Sequence, residues 1–149
     1  MKKTIIIIAA IAVIAAGYMV FRKQYSGGMA SEQEIPNSLS IESQDPGWNV
    51  IANSVMAAAS GFVVIQEVTD GAPGVVLGTS DVLPKGWSEH VVIGLSRPVE
   101  DGQILSATLY KDNGDGSFNA SDDTVIMNKV GDEPVMSLFP INEGSAPLP

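Results

Sequence analysis

Two patterns of apolar positions divide the sequence. From Thr4 to Phe21 the run "TIIIIAAIAVIAAGYMVF" carries no charge, whereas past residue 45 the apolar residues come in short bursts broken by Gly, Pro, Asp and Asn. The first pattern suits a membrane. Its eighteen residues, at about 1.5 Å each, give roughly 27 Å, close to the hydrocarbon core of about 30 Å. Lys2 and Lys3 precede the run, and Arg22 and Lys23 follow it as a stop. This predicts one N-terminal transmembrane helix, a retained signal anchor. A cleaved secretory signal is the alternative, because Ala15-Ala16-Gly17 offers a small-residue cut site. A buried core helix is a third reading, for which the missing polar face demands a larger protein around it. The basic residues on the two sides nearly balance, so the usual export of a domain behind such a segment sets the expected orientation.

The second pattern has the period of two expected of strands. In "QILSATLY" Leu105, Ala107 and Leu109 fall on one face and Ser106 and Thr108 on the other, which predicts a half-buried strand. "SEHVVIGL" likewise turns Val91, Ile93 and Leu95 inward and His90 to the polar face. Apolar runs at 61–68, 74–80, 124–127 and 134–139 predict further strands, with a weaker one in 48–57. Within the last, "NSVMAAAS" reads as strand, with a helical turn as the alternative that alanine favours. A strand there would give "GFVVIQEV" a hairpin partner. Asp70-Gly71, Pro84-Lys85-Gly86, Asp101-Gly102, Asn113-Gly114 and Gly131-Asp132 supply the turns. Six or seven short strands without a crossover helix predict an all-β, two-sheet antiparallel sandwich. The expected organisation is a signal anchor at 1–23, a flexible linker at 24–44, the sandwich at 45–141 and a disordered tail at 142–149.

Composition narrows the chemistry. At 149 residues there is room for one domain, and the absence of cysteine removes disulfides, zinc–thiolate sites, thiol nucleophiles and lipid-modified cysteine. All seventeen acidic residues lie beyond Lys23, against Lys85, Arg97, Lys111 and Lys129, so that part carries a net −13. Nucleic acid and anionic lipid are poor partners for such a surface. It suits solubility, cation binding or a salt-rich setting.

The stretch from Ser60 to Asp123 carries a resemblance. Gly61-Phe62-Val63-Val64-Ile65, then Gly74 to Ser80, Gly86 to Leu95, and Asp101-Gly102 leading into Leu105 to Tyr110 and an Asp/Gly/Asn-rich loop form an ordered set. Over about residues 45 to 140 the chain resembles the β-sandwich domain of unknown function found on archaeal, notably halophilic, and some bacterial cell-surface proteins. The resemblance implies an immunoglobulin-like sandwich outside a cell and no catalytic residue. Many relatives carry the domain in larger or repeated surface proteins, whereas one copy stands on one anchor in this sequence.

The segment "KDNGDGSFNASDD", residues 111–123, is the most concentrated polar chemistry. With Gly116 at position 6 of a calcium loop, Asn113, Asp115, the Ser117 carbonyl, Asn119 and Asp122 take positions 3, 5, 7, 9 and 12. Lys111 then occupies position 1, where a carboxylate belongs, and Asp112 or Asp123 compensates only in a shifted register. The candidate calcium ligands are therefore Asp112, Asn113, Asp115, Asn119 and Asp122. Set against them is a hairpin loop whose Asn and Asp side chains cap their own backbone while its glycines supply positive φ. Asn119-Ala120-Ser121 is the chain's one N-x-S/T sequon, a glycosylation candidate. His90, the only histidine, has Ser80, Asp81 and Ser88 near it in sequence but no oxyanion motif, and reads as a surface strand residue. Glu100-Asp101 reads as a turn. Trp48 and Trp87 read as packing anchors, with a sugar platform as the alternative.

The expected function is a membrane-anchored extracytoplasmic module of the cell envelope, structural or adhesive. It needs no cofactor unless calcium fills the loop, performs no catalysis, and meets a protein or glycan of the envelope. The alternatives are an accessory subunit of a membrane complex, which should carry an apolar patch on one sheet, and a calcium-binding surface module. An enzyme should show a pocket in which His90 meets Ser and Asp side chains.

Overall fold

The structure, a computed structural model, describes residues 34–129 and 131–144. The expected transmembrane helix, the linker up to residue 33 and the tail from residue 145 lie outside these. Within them, eight strands follow one another: β1 (Ser38–Ser40), β2 (Gly47–Ala57), β3 (Gly61–Thr69), β4 (Ala72–Thr79), β5 (Gly86–Val99), β6 (Ile104–Lys111), β7 (Thr124–Val125) and β8 (Met136–Pro140). The described residues contain no helix. All strand pairs are antiparallel. One sheet has the order β1-β2-β5; the other runs β4-β3-β6, and β7 and β8 divide the free edge of β6 between them.

Alternation decides what each sheet buries. Val50, Ala52, Val55 and Ala57 of β2 and Ile93, Leu95 and Val99 of β5 meet Val63, Ile65, Leu105, Ala107, Leu109 and Phe139 of the other sheet in one core. Fully burying such a side chain stabilises the fold by about 1.5–3 kcal/mol. Val91, Ile93 and Leu95 turn inward as their spacing predicts, Val91 less deeply than the other two. Between the sheets' flanks, β4 passes so close to β5 that a Cβ on Gly78 would run into the Gly94 carbonyl oxygen. On the opposite flank a parallel bridge joins Gln44 to Ile141.

Several expectations change. "NSVMAAAS" is strand as far as Ala57, yet its partners are β5 and β1 and not "GFVVIQEV", which pairs with β4 and β6. The bend at residues 58–60 carries the chain from one sheet to the other, so the two neighbours in sequence are not a hairpin. The sheet also begins earlier than composition suggests: Ser38–Ser40 pairs with Ser54–Met56 and Ile41 is buried, inside the segment read as a linker. Finally, β6 is not half-buried. Leu105 to Thr108 and Leu109 are all buried, because β6 lies between β3 and β8 and its small hydroxyl residues sit between larger neighbours.

Candidate functional site

The acidic loop closes the hairpin between β6 and β7, where Lys111 faces Thr124. Its two ends are held by two buried carboxylates, Asp112 at 9% and Asp123 at 7% exposure. Asp112 Oδ1 accepts the N–H groups of Gly114 at 3.1 Å and Gly116 at 3.2 Å. Asp123 accepts Asn113 N–H on Oδ1 at 3.0 Å and Asn119 N–H on Oδ2 at 2.7 Å. Between them Asp115 accepts from Ser117 N–H and Asn113 Nδ2, and Asn113 Oδ1 accepts from Asp115 N–H. At the tip Asn119 accepts Ser121 N–H and donates through Nδ2 to Asp122. Gly114 and Gly116 have φ of 108° and 74°, a region where a Cβ is strained. Phe118 pins the loop down, its ring edge-on to Phe62 at 5.9 Å and to Tyr110 at 5.1 Å.

This arrangement places the five candidate calcium ligands on one loop, where oxygens of Asp112, Asn113, Asp115 and Asn119 accept backbone N–H groups and Asp122 Oδ2 accepts the Asn119 side-chain amide. Among the described residues no three His, Asp or Glu side chains gather where they could hold a metal ion. What the loop does chemically is satisfy its own amides, which a long connection must do to stay ordered.

The second candidate is the outward face of the five-stranded sheet, which the sequence did not single out. Register sets its rows. Val76, Gln66, Ser106 and Leu138 form one, and Thr79, Val64, Thr108 and Met136 the next. Neither row contains a charge. Leu138 is 52% exposed, with Met136, Val76 and Ile104 also open, while Val64 and Ser106 are buried among them. The hydroxyls of Ser106 and Thr108 are buried without a hydrogen-bond partner among the described residues. An unpaired buried hydroxyl costs about 1–3 kcal/mol, so these two are out of keeping with a finished interior.

Residues 37–141 match the family model described as a domain of unknown function, DUF7282. The chain belongs to that family. No curated protein and no solved structure matches it.

The remaining candidates on this DUF7282 domain stay apart from one another. Ser80 is buried, accepting Val63 N–H at 3.0 Å and donating to the Asp81 carbonyl at 2.8 Å, so its hydroxyl serves the backbone. His90 is exposed, as alternation predicts, but holds a φ of 50° in mid-strand. Trp48 and Trp87 correct their expected role as packing anchors: they are 59% and 54% exposed. Trp87 lies opposite Met56 on the outward side of the three-stranded sheet, where no layer covers it among the described residues. Glu100-Asp101 forms a turn as expected: Glu100 N–H donates to Gln103 and Asp101 caps Glu143 N–H. A shallow depression of about 430 Å³ beside the Gly71 and Gly102 turns is lined in part by Glu67, Gln103 and Leu105. Glu67 is already engaged by Arg97 at 2.9 Å.

Proposed function

We propose that this protein is a membrane-anchored extracytoplasmic module of the cell envelope, an immunoglobulin-like sandwich that acts by structure or binding and not by catalysis. The reading is carried by one juxtaposition in the chain. An uncharged run of eighteen residues bracketed by basic pairs precedes an all-β domain, and every acidic residue of the chain lies beyond that run. The apolar run favours a bilayer, and the acidic domain favours water and repels anionic lipid and nucleic acid. The loop, whose Asp112 and Asp123 carboxylates accept its backbone N–H groups, fits a module exposed to solvent.

The test is made on membranes carrying the full chain. Resistance to alkaline extraction, together with digestion of the domain by protease added outside, is the expected result. Release of a shortened chain would replace the anchor with a cleaved signal, and a domain protected from outside protease would overturn the reading.

A second reading, an accessory subunit of a membrane complex, is favoured by the uncharged sheet face around Ser106 and Thr108. Covering Leu138, Met136 and Ile104 would remove apolar surface from water at about 25 cal/mol per Å². A photo-crosslinker at residue 138 should then yield one defined adduct in membranes, abolished by Met136→Glu. A ladder of weak adducts unaffected by that change would sink it.

A further inference from the structure

We propose that Asn119 is an acceptor for N-linked glycosylation, a modification that rests on the extracytoplasmic reading above. Three observations converge on this side chain. Asn119 and Ser121 stand two apart in the chain's single sequon, and both are exposed at the tip of the β6–β7 loop. The Ser121 N–H donates to Asn119 Oδ1 at 3.0 Å, folding the sequon into an Asx turn that brings residue 121 beside the acceptor amide. Asn119 Nδ2 donates to Asp122 Oδ2 at 2.8 Å.

An amide nitrogen is a poor nucleophile because its lone pair is delocalised onto oxygen. The Asp122 carboxylate on Nδ2 draws on the proton that this nitrogen loses in the reaction, while the Ser121 N–H on Oδ1 fixes the orientation of the amide. The donor substrate is a glycan carried on a polyprenyl phosphate. Nδ2 forms a bond to the anomeric carbon, the bond from that carbon to the phosphate oxygen breaks, a proton leaves Nδ2 for a base, and the polyprenyl phosphate departs. No oxidant or reductant is involved. The loop is held at Asp112, Asp123 and Phe118, none of which the modification touches, so a glycan at the tip leaves its anchoring intact.

The experiment expresses the full chain in a host that modifies a control sequon exported in parallel, and reads the intact mass of the membrane-extracted protein. The chain should carry a mass excess that is lost in Asn119→Gln and in Ser121→Ala and kept in Ser121→Thr, with the three variants melting alike. External protease on the same membranes reports the side on which the domain lies. An unmodified domain that is digested from outside overturns this inference alone. An unmodified domain protected from outside protease overturns it together with the reading on which it rests. A mass excess that survives Asn119→Gln also overturns it.

Discussion

Asp112 and Asp123 each accept two backbone N–H groups from a buried position, whereas Asp115 sits exposed on the same loop. Hydrogen bonds to a charged acceptor are worth about 1.5–3 kcal/mol. Asp112→Ala and Asp123→Ala should therefore each cost about 2–3 kcal/mol, and Asp115→Ala less than about 1 kcal/mol, read from denaturant midpoints. His90 offers a second residue-scale test. A non-glycine residue at positive φ costs about 1–2 kcal/mol, which β-branching increases. His90→Val should lower stability by about that amount, while His90→Gly should stay within about 0.5 kcal/mol of the parent, relief of strain offsetting chain entropy. The sequence places Asp, Asn and Gly in the loop plainly enough. It does not say which carboxylates face inward, because that depends on Phe118 finding Phe62 and Tyr110 across the hairpin.

At the scale of elements, most strands are legible in the chain because alternation is a local property. Pairing is less so. β2 and β3 are joined by three residues and yet belong to different sheets, since both have buried positions that a hairpin would leave facing water. The flank where β4 crosses β5 is equally silent in sequence: Gly78 and Gly94 are separate glycines until the sheets close. Gly78→Ala should cost at least about 1–3 kcal/mol, because the new methyl group meets backbone that cannot rotate aside. Gly102→Ala, at a turn with open space around it, should cost only the strain of its φ of 85°, about 1–2 kcal/mol. Thermal melting of the pair separates crowding from backbone strain. The exposure of Val75 and Val76 follows from the same geometry, for β4 is an edge strand whose buried positions narrow to Leu77.

For the whole molecule, electrostatics dominates. The chain beyond Lys23 carries a net −13, its only cations being Lys85, Arg97, Lys111 and Lys129. Self-repulsion on this scale weakens the compact state and is relieved by screening. Raising sodium chloride from about 0.01 M to about 1 M, which shortens the screening length from about 30 Å to about 3 Å, should raise Tm by several degrees. Calcium and magnesium at matched ionic strength should then give equal further rises, as a self-capped loop requires. Specific calcium binding at one hundred times its dissociation constant would add about 2.7 kcal/mol, or roughly 4–8 °C per kcal/mol, to the calcium curve alone. Such a difference would make the loop a metal site.

By itself the sequence determined the all-β class, the positions of most strands, the turn glycines and the concentration of acid beyond Lys23, because periodicity, backbone permissiveness and charge are carried residue by residue. Tertiary structure decided the assignment of strands to sheets, the burial of Ser106 and Thr108, the exposure of Trp48 and Trp87, and the inward turn of Asp112 and Asp123. Those properties depend on which residues distant in sequence become neighbours. A strand's own alternation says that its faces differ, but what covers each face is set by the chain that packs there.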